Sequence, residues 1–195
     1  MSNSDTSDFV VAIGGSAGGF QAVELLLAEL PRNLDAPVVI ALHGSSESNL
    51  AQVLGVKKSL DIRALEPDVP LERGVIYIVP GARHAMFVND VMHLSDHVSD
   101  SGFRPSIDAL FMTLAAQYGK RAIGVVLSGM LKDGMRGAQV IYDMGGRTIV
   151  QNPTEAIYKS MPQSVINADH PRAILTAGEL GEWLIREVGL VPEQP

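Results

Sequence analysis

The chain contains no cysteine in its 195 residues. Disulfides and thiol catalysis are therefore excluded, and the usage fits a cytoplasmic protein. No apolar run approaches the ~20 residues that a membrane-spanning helix needs. Basic runs are also absent, and the net charge of −7 argues against general nucleic-acid binding. The first eight residues are polar and acidic, without the basic start and apolar stretch of a secretory signal. They are expected to form a frayed tail (1–8), with a second tail at 189–195. No repeat, low-complexity segment or linker divides the stretch between them, so residues 9–188 are expected to form one catalytic-sized domain.

What is present is a serine between glycines. Gly14-Gly15-Ser16-Ala17-Gly18-Gly19 follows the apolar run Phe9-Val10-Val11-Ala12-Ile13, which has the length and β-branched content of a buried strand. The arrangement matches G-x-S-x-G, a sharp strand-to-helix turn that holds a nucleophilic hydroxyl out of the sheet. Two other readings stay open at this point. A glycine-rich turn after a first strand also cradles phosphate, and it can be a plain tight turn. The dinucleotide fingerprint needs glycine where Ser16 stands, and no lysine follows to complete a P-loop.

Along the chain, strand patterns alternate with helical ones. Strands are expected at 9–13, 38–42, 75–79, 122–127 and 147–150, with a short one at 173–175. Helices are expected at 20–30, 49–56, 105–118, 134–144 and 177–188. Pro105 suits a first helical turn. Residues 85–88 and 91–94 flank Asn89-Asp90, a two-residue hairpin loop. This order predicts an α/β fold: a doubly wound, mostly parallel sheet flanked by helices, with one antiparallel β-hairpin inserted.

In such folds ligands sit at the carboxyl ends of the strands. Ser16 follows the first strand, His43 the second, and Asp133 lies just past the strand at 122–127. A serine, a histidine and an aspartate at neighbouring strand ends can form a nucleophile, a base and its orienting acid. Their order along the chain is not that of α/β-hydrolases, where histidine comes last. Asp133 before Gly134 also reads as a helix N-cap. The backbone N–H of Ala17 is a natural oxyanion donor. Arg104 is a candidate to orient a carboxyl or amide group, and Lys132 and Arg136 add positive charge beside Asp133. His93, Asp96 and His97 belong to a solvated hairpin end rather than a metal site, and no cofactor or metal is expected. His84 and His170 are expected at the surface.

At these residues the chain resembles the catalytic domain of chemotaxis protein-glutamate methylesterases of the CheB type, from about residue 9 to residue 183. The matching motifs run in order: Ile13-Gly14-Gly15-Ser16-Ala17-Gly18-Gly19, Leu42-His43, Arg104-Pro105-Ser106-Ile107-Asp108, Leu127-Ser128-Gly129-Met130-Leu131-Lys132-Asp133-Gly134, then Gln151 and Met161-Pro162. The resemblance implies a Ser16–His43–Asp133 esterase acting on glutamate methyl esters of chemoreceptor cytoplasmic helices. Methanol and glutamate are the products, and glutamine deamidation is an added activity in many members. It also implies a backbone oxyanion donor at Met130, and substrate contacts at Arg104, Gly15, Gly44 and the loop 45–49. Typical members carry a phosphorylatable receiver domain ahead of the esterase. Here the pattern begins at Phe9, so a stand-alone or excised esterase is expected.

Three departures bear on rate and substrate choice. Ala17 stands where the family commonly has threonine, Gly44 where methionine is frequent, and Leu131 where the aspartate loop usually has its second glycine. They motivate a rival expectation of a catalytically weak adaptor in a chemosensory complex. A nucleotide- or phosphate-binding domain is the remaining alternative.

Overall fold

The computed structural model describes residues 9–44, 60–89, 91–97, 102–168 and 170–192. The expected helix at 49–56, the loop at 45–49 and the tail at 1–8 lie outside them. Strand β1 (Val10–Gly15) opens the fold and leads into helix α1 (Gly19–Glu29). Strands β2 (Val38–Leu42), β3 (Asp61–Ala64) and β4 (Val75–Ile78) follow, then the pair β5 (His84–Val88) and β6 (Val91–Ser95). The second half runs α2 (Ile107–Tyr118), β7 (Ala122–Val126), α3 (Met135–Asp143), β8 (Arg147–Gln151), α4 (Ser160–Ala168), β9 (Ala173–Leu175) and α5 (Ala177–Val188).

Seven strands form one sheet in the order β3-β4-β2-β1-β7-β8-β9, and its pairs are parallel. The fold class expected from the sequence is therefore the one found, including the antiparallel β5–β6 hairpin. The alternation of β1 explains its two-sided burial. Val10 and Ala12 pack with α2, α3, α4 and the hairpin, while Val11 and Ile13 pack with α1 and α5. Each fully buried Leu, Ile or Phe in these two layers contributes roughly 1.5–3 kcal/mol.

Several expectations are corrected. Helix α2 begins at Ile107 behind a Ser106 N-cap whose hydroxyl accepts from Ala109 N, so Pro105 lies before the helix rather than in its first turn. Edge strand β3 has no apolar run to announce it. Asp61 and Arg63 alternate with Ile62 and Ala64, and the Arg63 guanidinium bonds Asp61 and Glu72. A charged edge of this kind resists pairing with other chains. Helix α4 buries only Met161, Pro162 and Val165, too few positions to reveal a helical period. The tail expected from residue 189 is anchored at its start, where Leu190 bridges Leu34 and Val191 N donates to Asn33 O.

The sheet starts at its centre with β1, builds outward through β2, and returns to place β7 on the other side of β1. The point where the winding reverses lies between β1 and β7. A crevice opens there at the carboxyl ends of the strands.

Candidate active site

Ser16 stands at that crevice because β1 ends at Gly15. Its N–H donates to Ser128 O at 3.0 Å, and Gly19 N donates to its carbonyl at 2.8 Å. Two amides of the turn are thus already engaged, which weakens its reading as a phosphate cradle. Gly18 makes the turn possible with φ 73°, and a Cβ there would lie 2.6 Å from Ser128 Oγ. On the other side, a Cβ at Gly129 would come within 3.0 Å of Ser16 Cβ and 2.7 Å of Met161 Sδ. The serine is therefore held between two close backbone approaches.

Ser128 ties this turn together. Its hydroxyl donates to Ala17 O at 2.9 Å and accepts from Tyr158 N at 3.0 Å. Its own N–H donates to Gln151 Oε1 at 2.7 Å. Gln151 Nε2 then donates to Glu155 Oε2 at 2.7 Å, which also accepts from Ala177 N at the start of α5. From the sequence Ser128 is only a motif letter; its role emerges once β8 and α4 flank the elbow. Ser128→Ala should orphan the Tyr158 amide, costing about 1–2 kcal/mol and loosening the elbow. The expected result is a melting point several degrees lower and, since catalysis tolerates little misplacement, a kcat at least about tenfold lower. Calorimetry and steady-state assays on one preparation check both.

His43 follows β2. The register pairs Gly15 with Leu42, and His43 N donates to Gly15 O at 3.0 Å, so His43 emerges beside Ser16. Its Nε2 lies 2.7 Å from Asp133 Oδ2, while its Nδ1 is buried without a partner. With Asp133 ionised, this bond places the ring proton on Nε2. It leaves Nδ1 as an acceptor, the state a general base requires. Among the described residues, no hydrogen bond joins Ser16 to His43. Phe103 stacks on the imidazole, with centroids 4.7 Å apart and planes 5° from parallel. That ring fixes the plane of His43 and stabilises a positive imidazole. Sequence reasoning missed Phe103, because nothing along the chain links it to His43.

Asp133 is buried and its carboxylate is fully engaged. Oδ2 accepts from Ile107 N at 2.7 Å as well as from His43, and Oδ1 accepts from Asp108 N at 2.9 Å and Gly134 N at 3.1 Å. Burial pushes its pKa up, but the bonds from His43, Asp108 and Ile107 outweigh that and hold it below the usual carboxylate range. The N-cap expectation is corrected here: Asp133 caps α2, not its own helix. Asp108 does the converse from α2, accepting from Gly134 N at 2.9 Å and Gly137 N at 2.8 Å at the start of α3. Two helix N-termini thus face two carboxylates, a favourable arrangement for charge and dipole.

The remaining expectations find these places. Among the described residues, the N–H groups of Ala17 and Met130 donate to no backbone acceptor, as oxyanion donors must. Gly15 is buried with Leu42 against it, and Gly44 is exposed with φ 73° and, among the described residues, nothing within 4 Å of where its Cβ would lie. Arg104 is exposed and donates to Asp96 O at 2.8 Å, bracing its own loop. His93, Asp96 and His97 are exposed at the hairpin end, and His170 is exposed and stacked on Tyr142. His84 corrects the surface expectation. It is buried, its Nδ1 accepts from Ser106 N at 3.1 Å, and burial pushes its pKa down. It steadies the residue that caps α2, the helix whose first amides hold Asp133.

Comparison with known proteins agrees with this architecture. The family model described as CheB methylesterase matches residues 11–184. A "Protein-glutamate methylesterase/protein-glutamine glutaminase 2" of Methanosarcina acetivorans is 32% identical over 190 residues, covering 92% of this chain and 53% of that protein. One of the same name from Anaeromyxobacter dehalogenans is 35% identical over 173 residues, covering 88% and 51%. The chain thus spans about half the length of the curated relatives it matches. The crystal structure of the Thermotoga maritima CheB methylesterase catalytic domain superposes with a TM-score of 0.87 at 30% identity, covering 93% of this chain and 99% of that one.

Proposed function

The chain belongs to the CheB methylesterase family, and from that membership we propose that it hydrolyses glutamate γ-methyl esters on the cytoplasmic helices of chemoreceptors. Glutamine deamidation at such helices runs through the same acyl-enzyme route. The observation that carries the reading is the His43–Asp133 pair, with Nε2 bonded and Nδ1 without a hydrogen-bond partner, in a residue whose N–H bonds the carbonyl of Gly15 next to Ser16.

In this reading a rotation of the Ser16 side chain brings its hydroxyl to His43 Nδ1. The base takes the proton as Oγ attacks the ester carbonyl. The new C–O⁻ lies against the N–H groups of Ala17 and Met130. Asp133 stabilises the imidazolium through Nε2, and Phe103 stabilises it across its face. When the tetrahedral species collapses, His43 returns the proton to the departing methoxide and methanol leaves. Water, deprotonated by His43, then attacks the Ser16 ester; His43 returns that proton to the departing Ser16 Oγ, and the glutamate is freed.

The test is methanol release from a methylated receptor cytoplasmic fragment, with ammonia release from its glutamine form as the second readout. Wild type is expected to release methanol at a rate proportional to enzyme. Stoichiometric binding of the fragment without methanol release would instead favour the adaptor reading that Ala17 and Leu131 motivate.

A further inference from the structure

Leu131 has φ 68°, in the left-handed region that favours glycine. The other described non-glycine residues with positive φ are Asp68, Ala82 and Asn89, which are polar or small. The residue is also 56% exposed. It thus bears a backbone penalty while leaving more than half of its surface exposed, and burial of its own side chain does little to offset that penalty. Such outliers gather where a ligand is gripped.

The position of Leu131 says what it would grip. With Phe103 and Met135 it lines an open cavity of about 300 Å³ that reaches Asp133. Phe103 is the ring stacked on His43, so an occupant lies against the flank of the reacting groups. The acids there already have partners: Asp133 accepts from backbone amides and His43, and Asp108 accepts from the amides of Gly134 and Gly137 through Oδ1 and pairs with Arg136 through Oδ2 at 3.3 Å. Lys132 also lines the cavity, and its positive charge complements a glutamate-bearing helix, while Arg136 beside it is paired with Asp108.

We propose that Leu131 is a specificity-determining residue, which with Phe103 and Met135 receives an apolar side chain one helical turn from the reacting glutamyl ester. The proposal rests on the glutamate-esterase reading above. It accounts for the departure from glycine: the residue keeps glycine's backbone geometry and adds a side chain that reads the substrate.

The test uses two helical peptides, each with one γ-methyl glutamate. One carries leucine at the neighbours three and four residues away, the other alanine. Wild type is expected to favour the leucine peptide by about tenfold in kcat/KM, the scale of apolar discrimination in a pocket. In Leu131→Gly the ratio should fall to near one, while the protein melts no lower than wild type. Leu131→Ala, which keeps the backbone restriction but loses the side chain, should behave like the glycine variant. A purely structural role would lower both rates and leave the ratio intact, and that result overturns the proposal. Equal hydrolysis of both peptides by wild type also overturns it, leaving the esterase reading standing. Hydrolysis of p-nitrophenyl acetate but of neither peptide overturns the glutamate-ester reading and this inference with it.

Discussion

Ser16→Ala is expected to reduce methanol release to background, a loss on the order of 10⁶ in kcat, with the melting temperature essentially unchanged. The asymmetry follows from the contacts. The backbone of Ser16 is used, by Ser128 O and Gly19 N, but among the described residues its hydroxyl takes part in no hydrogen bond of the fold. Alanine therefore keeps the elbow, the Gly129 approach and the His43–Asp133 pair, and removes only the attacking oxygen. His43→Ala should match it in rate, because nucleophile and base act as one unit and their losses do not add. The double variant should be no slower than either single one. Appreciable turnover in Ser16→Ala would place the nucleophile elsewhere and undo the mechanism.

The parts of this site that were legible in the sequence share a physical reason. Residues 10–13, 38–42 and 122–126 are β-branched or small apolar runs with no competing helical period, so their strands are unambiguous. Once they are strands, the rule that ligands gather at carboxyl ends, together with the G-x-S-x-G turn and the residue types a nucleophile, base and acid need, points to Ser16, His43 and Asp133. What stays hidden depends on contacts across the sheet. Asp133 precedes a helix and looks like its cap, yet α2, from 25 residues earlier, takes its carboxylate. His84 beside a Pro-Gly turn looks exposed, and is buried because α2 packs over the hairpin. Leu131 reads as a mere departure from a glycine until φ shows that the backbone kept the glycine conformation. Local pattern reveals elements and their ends; it does not reveal which ends cap each other.

The shared use of Asp133 by His43 and by helix α2 makes Asp133→Asn the most instructive substitution. The amide has one acceptor where the carboxylate has two, and both carboxylate oxygens face donors. If the NH₂ takes the Oδ2 place, it meets Ile107 N–H and forces His43 to accept at Nε2. The ring proton then moves to Nδ1, where it points at Ser16 and blocks proton abstraction. If the NH₂ takes the Oδ1 place, the tautomer survives but the amides of Asp108 and Gly134 are left buried without an acceptor. Each orphaned amide costs about 1–3 kcal/mol, so either arrangement lowers stability, by roughly 5–10 °C in melting temperature for a chain of this size. The rate should fall by about 10³–10⁴ if the first arrangement prevails, and far less under the second. The same carboxylate sets an acid limit on the wild type. Its folded pKa lies below the unfolded value of about 3.9, so its stabilisation is full above pH ~5 and is lost as pH falls through the folded pKa. In Asp133→Asn that share of the acid dependence should vanish, flattening stability against pH below about 4 in denaturant titrations. Wild-type kcat and an unchanged acid limb in the Asp133→Asn enzyme would show that a different carboxylate orients His43.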